Sequence, residues 1–287
     1  MTYSRRDFGK AALAGIPLSM ALAAKVNGVT LGVMTYSYRA LPQTPGVDRV
    51  DGQIAALKTN GSSDIELFEA ELQPPGKPDG LEKWRQASQP DHFKAARKKL
   101  DAAGITTHAY TVNYRDTLTD DDLDRTFEQA KILGTNVIAA STQVTMAKRL
   151  APFAEKHKIY VAFHGHSNTK DPNEFATPES FQMALATSKY FRINLDIGHF
   201  FAAGYDPVAF IQQHHDRITH LHVKDRKKND GPNMPWGEGD TPIKQVLVLL
   251  KEKKYPLPAL VEYEYRGTGT PVEEVGKCLD YMRQAVA

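Results

Sequence analysis

The chain alternates between two rhythms. Short runs with apolar residues at every second position are followed by longer runs with apolar residues three and four apart, the periods of a strand and of a helix. Residues 29–34, 63–68, 105–110, 136–141, 159–163, 191–195, 218–223 and 259–263 read as strands. Helical spacing covers residues 47–58, 91–103, 120–133, 146–156, 178–187, 207–214, 242–253 and 271–286. Gly61, Gly104 and Gly134 stand where helices should stop, and Thr119 stands where one should start. Residues 73–89, with Pro74, Pro75 and Pro78, read as a loop over one end of the fold. Eight strand-then-helix units in about 255 residues predict an α/β chain closed into one (β/α)8 barrel, a single domain. An open doubly wound sheet would carry a Gly-rich turn after its first strand, and Thr35-Tyr-Ser-Tyr38 is not one.

The amino end breaks the rhythm. Ser4-Arg-Arg-Asp-Phe-Gly-Lys10 matches a twin-arginine export signal, a small, weakly apolar run follows it, and Ala21-Leu-Ala23 offers a small-x-small cleavage site. The expectation is that residues 1–23 are a signal peptide and residues 24–287 the barrel, delivered to the periplasm with no stable membrane span after cleavage. The apolar run is too short to cross a bilayer.

Removing that segment also changes the charge. The chain has 36 Lys and Arg against 34 Asp and Glu, and the segment takes Arg5, Arg6, Lys10 and Asp7 with it, leaving 33 of each sign. A neutral remainder gives no electrostatic grip on nucleic acid. The single cysteine, Cys278, excludes an internal disulfide and a cysteine-based zinc site. All ten histidines lie after residue 90, which directs attention to the strand ends.

In a barrel of this kind, functional side chains gather at the carboxyl ends of the strands. Phase puts His164 on the inner side of the fifth strand, Asn194 and Asp196 of the sixth, His220 and His222 of the seventh, and Glu262 and Glu264 of the eighth. Four consecutive strands thus aim a His, an Asp, a His and a Glu at one mouth. Taken singly, each could be a hydrogen-bonded core residue, a loop cap or half of a salt bridge. Together, imidazoles and carboxylates around one point call for a cation. Mixed nitrogen and oxygen ligation suits Mn2+ best, with Zn2+, Co2+, Fe2+ or Mg2+ as alternatives. Glu66, His108, His166 and His199 are expected around the same mouth as substrate-binding groups. Lys224 is expected either to stabilise a developing oxyanion or to pair with a carboxylate. Trp236, in the Gly/Pro-rich loop after the seventh strand, either stacks on the face of a bound ligand or anchors the loop.

The segments Asn194-Leu-Asp-Ile-Gly-His199, His220-Leu-His-Val-Lys-Asp225, Gly237-Glu-Gly-Asp240 and Val261-Glu-Tyr263 resemble the xylose isomerase-like TIM-barrel superfamily of sugar epimerases, inosose isomerases and dehydratases, and AP endonucleases. The resemblance covers nearly the whole chain after the amino-terminal segment and is strongest from residue 159 onward. It implies a metal held by groups from strands five to eight, which by position are His164, Asp196, His222 and Glu262. The first is a departure, because the epimerases it resembles carry Glu there, and the His164-Gly-His166 form looks more like the dehydratase and keto-sugar lyase branches. The implied activity is metal-dependent isomerisation or epimerisation of a sugar or keto-sugar through an enediolate. Glu262 would be the base, His164 or His166 the partner acid, and Lys224 an assisting group. The alternatives are a dehydratase, lyase or hydratase on a keto-sugar or inosose, and a non-catalytic periplasmic sugar-binding protein. A homo-oligomer is compatible with either.

Overall fold

Strands that are apolar on one face and polar on the other, yet buried on both, must have neighbours on each side and helices behind them. That is the arrangement in the computed structural model, which describes residues 25–42, 49–72 and 90–287. The expected export signal and the proline-containing loop at 73–89 lie outside the described residues.

Eight parallel strands close into a barrel. They are β1 (Leu31–Met34), β2 (Asp64–Phe68), β3 (Thr106–Asn113), β4 (Val137–Ser141), β5 (Tyr160–His164), β6 (Phe191–Asp196), β7 (Ile218–Val223) and β10 (Ala259–Val261). Between the last two, β8 (Asp225–Arg226) and β9 (Asn233–Met234) form a small antiparallel ribbon. The outer helices are α1 (Arg49–Thr59), α2 (Pro90–Ala102), α3 (Asp120–Ile132), α4 (Met146–His157), α5 (Pro178–Leu185), α7 (Pro207–His214), α8 (Ile243–Lys253) and α9 (Pro271–Val286), while α6 (Ile197–Ala202) is a short extra helix above β6. The barrel closes where β1 pairs with β10, Leu31 opposite Ala259 and Val33 opposite Val261.

Local chemistry explains the boundaries. Thr119 opens α3 with a reciprocal cap: its hydroxyl accepts from the Asp122 amide, and the Asp122 carboxylate accepts from the Thr119 amide. Gly134 follows with φ +77°, a conformation that costs glycine little. The large apolar core lies between strands and helices and includes Val161, Phe163, Leu195 and Leu221. A smaller cluster of Ala109, Val137, Ala139 and Ala162 fills the barrel interior. These small side chains leave the upper interior to polar groups.

Besides the extra helix α6, β3 and a small ribbon depart from the sequence expectation. β3 runs to Asn113 rather than stopping at Tyr110, and it carries an irregularity: Ile65 pairs with Thr107 but Glu66 pairs with Ala109. The extra residue is His108. The ribbon of β8 and β9 was also not expected, because two-residue strands give no periodic signal. No helix among the described residues is long and apolar enough to cross a membrane.

Candidate metal centre

The inward phase of β5, β6 and β7, and of the residue following β10, brings His164, Asp196, His222 and Glu262 to one place. One ligating atom from each lies within 4.8 Å of the others, and all four residues are buried. Bonds of about 2.0–2.2 Å to a single ion would place its ligand atoms at most about 4.4 Å apart, so the cluster is at the right scale. Each of the four also has one buried atom without a hydrogen-bond partner: His164 Nδ1, Asp196 Oδ2, His222 Nδ1 and Glu262 Oε2. His222 Nδ1 and Glu262 Oε2 are only 2.8 Å apart, yet misaligned for a hydrogen bond. Four buried ligand atoms that make no hydrogen bond, two of them 3.1 Å from the Lys224 ammonium, fit a cation better than they fit one another.

The charges agree. Asp196 and Glu262, both buried, and the half-buried Glu264 surround one buried ammonium, Lys224. Lys224 Nζ lies 3.1 Å from Asp196 Oδ2, 3.1 Å from Glu262 Oε2 and 2.5 Å from Glu264 Oε2. Burial disfavours its charge, but these three carboxylates outweigh burial and hold it protonated. Burial likewise opposes ionisation of Glu262, and Lys224 and His222 overcome it, keeping Glu262 below the usual carboxylate range. Asp196 fares differently: burial, only partly offset by Lys224, pushes it up to about 6. His164 is pushed down by burial and by His222 and His166, so it stays neutral. His222 is buried too, but Glu66 and Glu262 raise it well above its ordinary value. Without an ion, protons on Asp196 and His222 do part of the work of a positive charge.

A second layer sits beneath. Glu66 Oε2 lies 2.6 Å from both His220 Nε2 and His222 Nε2, and Glu66 also accepts from the Thr111 hydroxyl. A proton on His222 Nε2 shared with Glu66 leaves Nδ1 with its lone pair toward the cluster, the usual orienting role of an outer carboxylate. Asp196 is also divided. Oδ1 accepts from the His199 amide at 2.7 Å and caps α6, while Oδ2 faces Lys224. Gly198 is required here, since a Cβ would strike Lys224.

The remaining expected residues separate into two groups. His166 and His199 do stand near the mouth: the His164 and His166 rings are 4.8 Å apart, and His166 and His199 are 5.4 Å apart. His166 Nδ1 lies 2.5 Å from Glu174 Oε1, and His199 contacts Lys224 through Nε2 and Arg226 through Nδ1. Lys224 makes carboxylate pairs, one of its two expected roles. Glu66 lies below the mouth, in the barrel interior, rather than on its rim.

His108 and Trp236 are not at the mouth. The irregularity in β3 gives the inward phase to Ala109, Thr111 and Asn113, and His108 instead binds Asp64 Oδ1 at 2.7 Å near the amino-terminal end of the strands. Trp236 lines a different cavity, of about 420 Å3, with Tyr265, Cys278 and Tyr281, and meets Tyr281 edge to face at 5.8 Å. Of its two expected roles, the position matches the loop anchor.

The mouth cavity itself measures about 190 Å3. His164, His166, His222, Glu262 and Glu264 form its side on strands five to eight. Strands one to four contribute Met34, Tyr36, Phe68, Thr111, Asn113 and Ser141. Apart from the Tyr36 segment, noted only as unlike a Gly-rich turn, sequence reasoning gave these six no role. Neutral side chains carry no chemical signature, and only the full length of β3 could have exposed Thr111 and Asn113.

The profile described as "Xylose isomerase-like TIM barrel" matches residues 54–285. Among curated proteins, the L-ribulose-5-phosphate 3-epimerase UlaE of Salmonella paratyphi A is 31% identical over 119 residues, 40% of this chain and 42% of that enzyme. The chain thus spans less than half the length of that relative. Among solved structures, the probable 3-DHS dehydratase AsbF of Bacillus anthracis superposes with a TM-score of 0.64 at 16% identity, covering 88% of this chain and 98% of that one. The IolI protein with a bound zinc atom gives 0.65 at 16% identity, covering 89% and 97%. At these identities the structural likeness concerns the fold.

Proposed function

This chain belongs to the xylose isomerase-like TIM barrel family, and from that premise we propose that it is a divalent-metal-dependent isomerase or epimerase of a sugar or keto-sugar. The observation that carries the reading is the convergence of His164, Asp196, His222 and Glu262, each with a buried atom that makes no hydrogen bond. These residues would hold the ion, with Mn2+ favoured by the mixed donor set and Zn2+ the first competitor. A bound divalent ion supplies Lewis acidity that acidifies a C–H beside a carbonyl.

The chain's own groups do the rest. Glu262, kept ionised by Lys224 and His222, takes the proton from that carbon. Lys224 holds Glu262 and Glu264 in place from below the cavity wall. His166, beside the cluster, returns a proton to the enediolate. The aromatic pair Tyr36 and Phe68, edge to face at 5.6 Å, walls the cavity on the other side and excludes water from the reacting face.

A second reading, a dehydratase or lyase on a keto-sugar, is favoured by one residue. His164 stands where the epimerases this chain resembles carry Glu, which removes the two-carboxylate exchange of a proton across one carbon. With His166 beside it and Glu174 behind, the imidazole pair is suited to protonating a departing hydroxyl. The twin-arginine-type start would deliver the barrel, folded and metal-loaded, to the periplasm.

The experiment is incubation of Mn2+-loaded protein with a panel of ketoses and keto-glycosides in D2O. Deuterium uptake at one carbon, abolished by chelator and restored by metal, is the expected result, and product mass separates isomerisation from water loss. Carbohydrate binding without exchange, undisturbed by chelator, would leave a sugar-binding protein instead.

A further inference from the structure

Two halves of the mouth cavity differ in chemistry. The half on strands five to eight carries the imidazoles and two carboxylates, Glu262 and Glu264. The half on strands one to four is aromatic and neutral: Tyr36 and Phe68, edge to face, supply an apolar wall, and Thr111, Asn113 and Ser141 supply hydroxyl and amide groups. Among the described residues, no lysine or arginine lines the cavity.

Among the described residues, two cations contact groups that line the cavity, and both are engaged. Lys224 is shared among Asp196, Glu262 and Glu264. Arg39 lies over the Tyr36 ring at 4.2 Å and donates to the Tyr36 and Tyr263 carbonyls. The α6 amide of His199 is taken by Asp196. A phosphate ester needs a cationic fork, a helix amino terminus or a nest of free amides to replace its hydration. Here it would instead meet the Glu264 carboxylate. That side chain is 22% exposed and lines the cavity, with one oxygen held by Lys224 and, at 3.4 Å, by the Asn233 amide.

We propose that this cavity selects a single uncharged keto-sugar unit over its phosphate ester, and that Glu264 enforces the choice. The proposal rests on the reading of the mouth as a metal-dependent sugar site and gives it a substrate class. A sugar ring presents C–H bonds on one face and hydroxyls at its edge, matching the Tyr36–Phe68 wall and the neutral donors beside it. The small volume, about 190 Å3, suits one ring. Discrimination arises from repulsion rather than from added attraction.

The test is equilibrium binding of D-ribulose and of D-ribulose 5-phosphate to the Mn2+-loaded protein, dialysed free of excess metal, by calorimetry. The expected result is that the free ketose binds at least about tenfold more tightly, since a dianion near a poorly solvated carboxylate is strongly disfavoured. Glu264→Gln should narrow the gap severalfold by improving binding of the phosphate, with metal content unchanged. Raising the salt concentration should narrow it in the unaltered protein, which keeps the test open if the variant folds poorly. Equal or tighter binding of the phosphate, or no binding of the free ketose, would overturn the proposal. A gap untouched by both substitution and salt would remove Glu264 from it. Deuterium exchange is read separately: a binding preference without exchange keeps the substrate class and discards the proton-abstraction chemistry.

Discussion

Glu66 grips the inner edge of His222: its Oε2 lies 2.6 Å from His222 Nε2, on the nitrogen remote from the ligand cluster. The carboxylate therefore chooses which nitrogen of the ring carries a proton. Glu66→Gln keeps the shape but removes the charge that fixes the tautomer. The expected outcome is metal affinity weakened by about 10–100-fold with the fold retained. Chelator competition against circular dichroism measures both. Undiminished affinity would make Glu66 a packing residue only.

The protons held in the metal-free site should appear when an ion enters. Asp196 sits at about 6, and His222 is raised well above its ordinary value by Glu66 and Glu262. Both must be unprotonated to ligate, so affinity rises with pH and falls steeply below about pH 6. At pH 7.5 Asp196 is already ionised, and the proton released is that of His222. Calorimetric titration of Mn2+ in two buffers of different ionisation enthalpy should give about one proton per ion.

Lys224 is 2% exposed and touches three carboxylates. Lys224→Met leaves them uncompensated, and the metal-free protein should lose about 3–5 kcal/mol in urea unfolding. The loss should be smaller with Mn2+ bound, because the ion supplies the missing charge. Equal losses with and without metal would show that the ammonium is not part of the site's charge balance.

Glu262→Gln should keep the barrel and reduce turnover by about 10²–10⁴-fold, as expected for removing the group that takes the proton. Steady-state rates compared at equal metal content measure this. Full activity would exclude Glu262 as the base.

Alkaline pH should destabilise the fold through groups far from the metal. Burial pushes the Cys278 thiol up to about 12 and raises the Tyr38 phenol above its ordinary value. Both stay protonated in the native protein while the unfolded chain ionises them. Their contribution is complete below pH 9 and declines as pH rises toward 12. Urea midpoints at pH 8 and pH 10.5 should differ in that direction.

Much of the fold was legible because barrel strands and their helices have different periods, and because glycines and a capping threonine mark the helix ends. The four clustered residues were legible because phase on a parallel strand tells which side a residue faces. Phase failed at β3, where one extra residue, His108, shifts every later position, and only the pairing with β2 reveals the shift. Which of its two expected roles Trp236 takes was not legible, because the loop that carries it folds back as a ribbon, a matter of tertiary contact. Glu264 was seen as inward-facing, but its hold on Lys224 depends on distances no sequence contains. Asn113 and Ser141 were missed because a neutral polar residue at a strand end looks like any other.

The seam between β1 and β10 joins residues more than two hundred positions apart, Leu31 with Ala259. A ribosome must therefore release nearly the entire polypeptide before the ring can shut, and until then two sheet edges lie open to other chains. Glu262 lies one residue beyond that last strand. Assembly of the ligand set is thereby tied to completion of the fold, and a half-made molecule has little means of capturing its ion early.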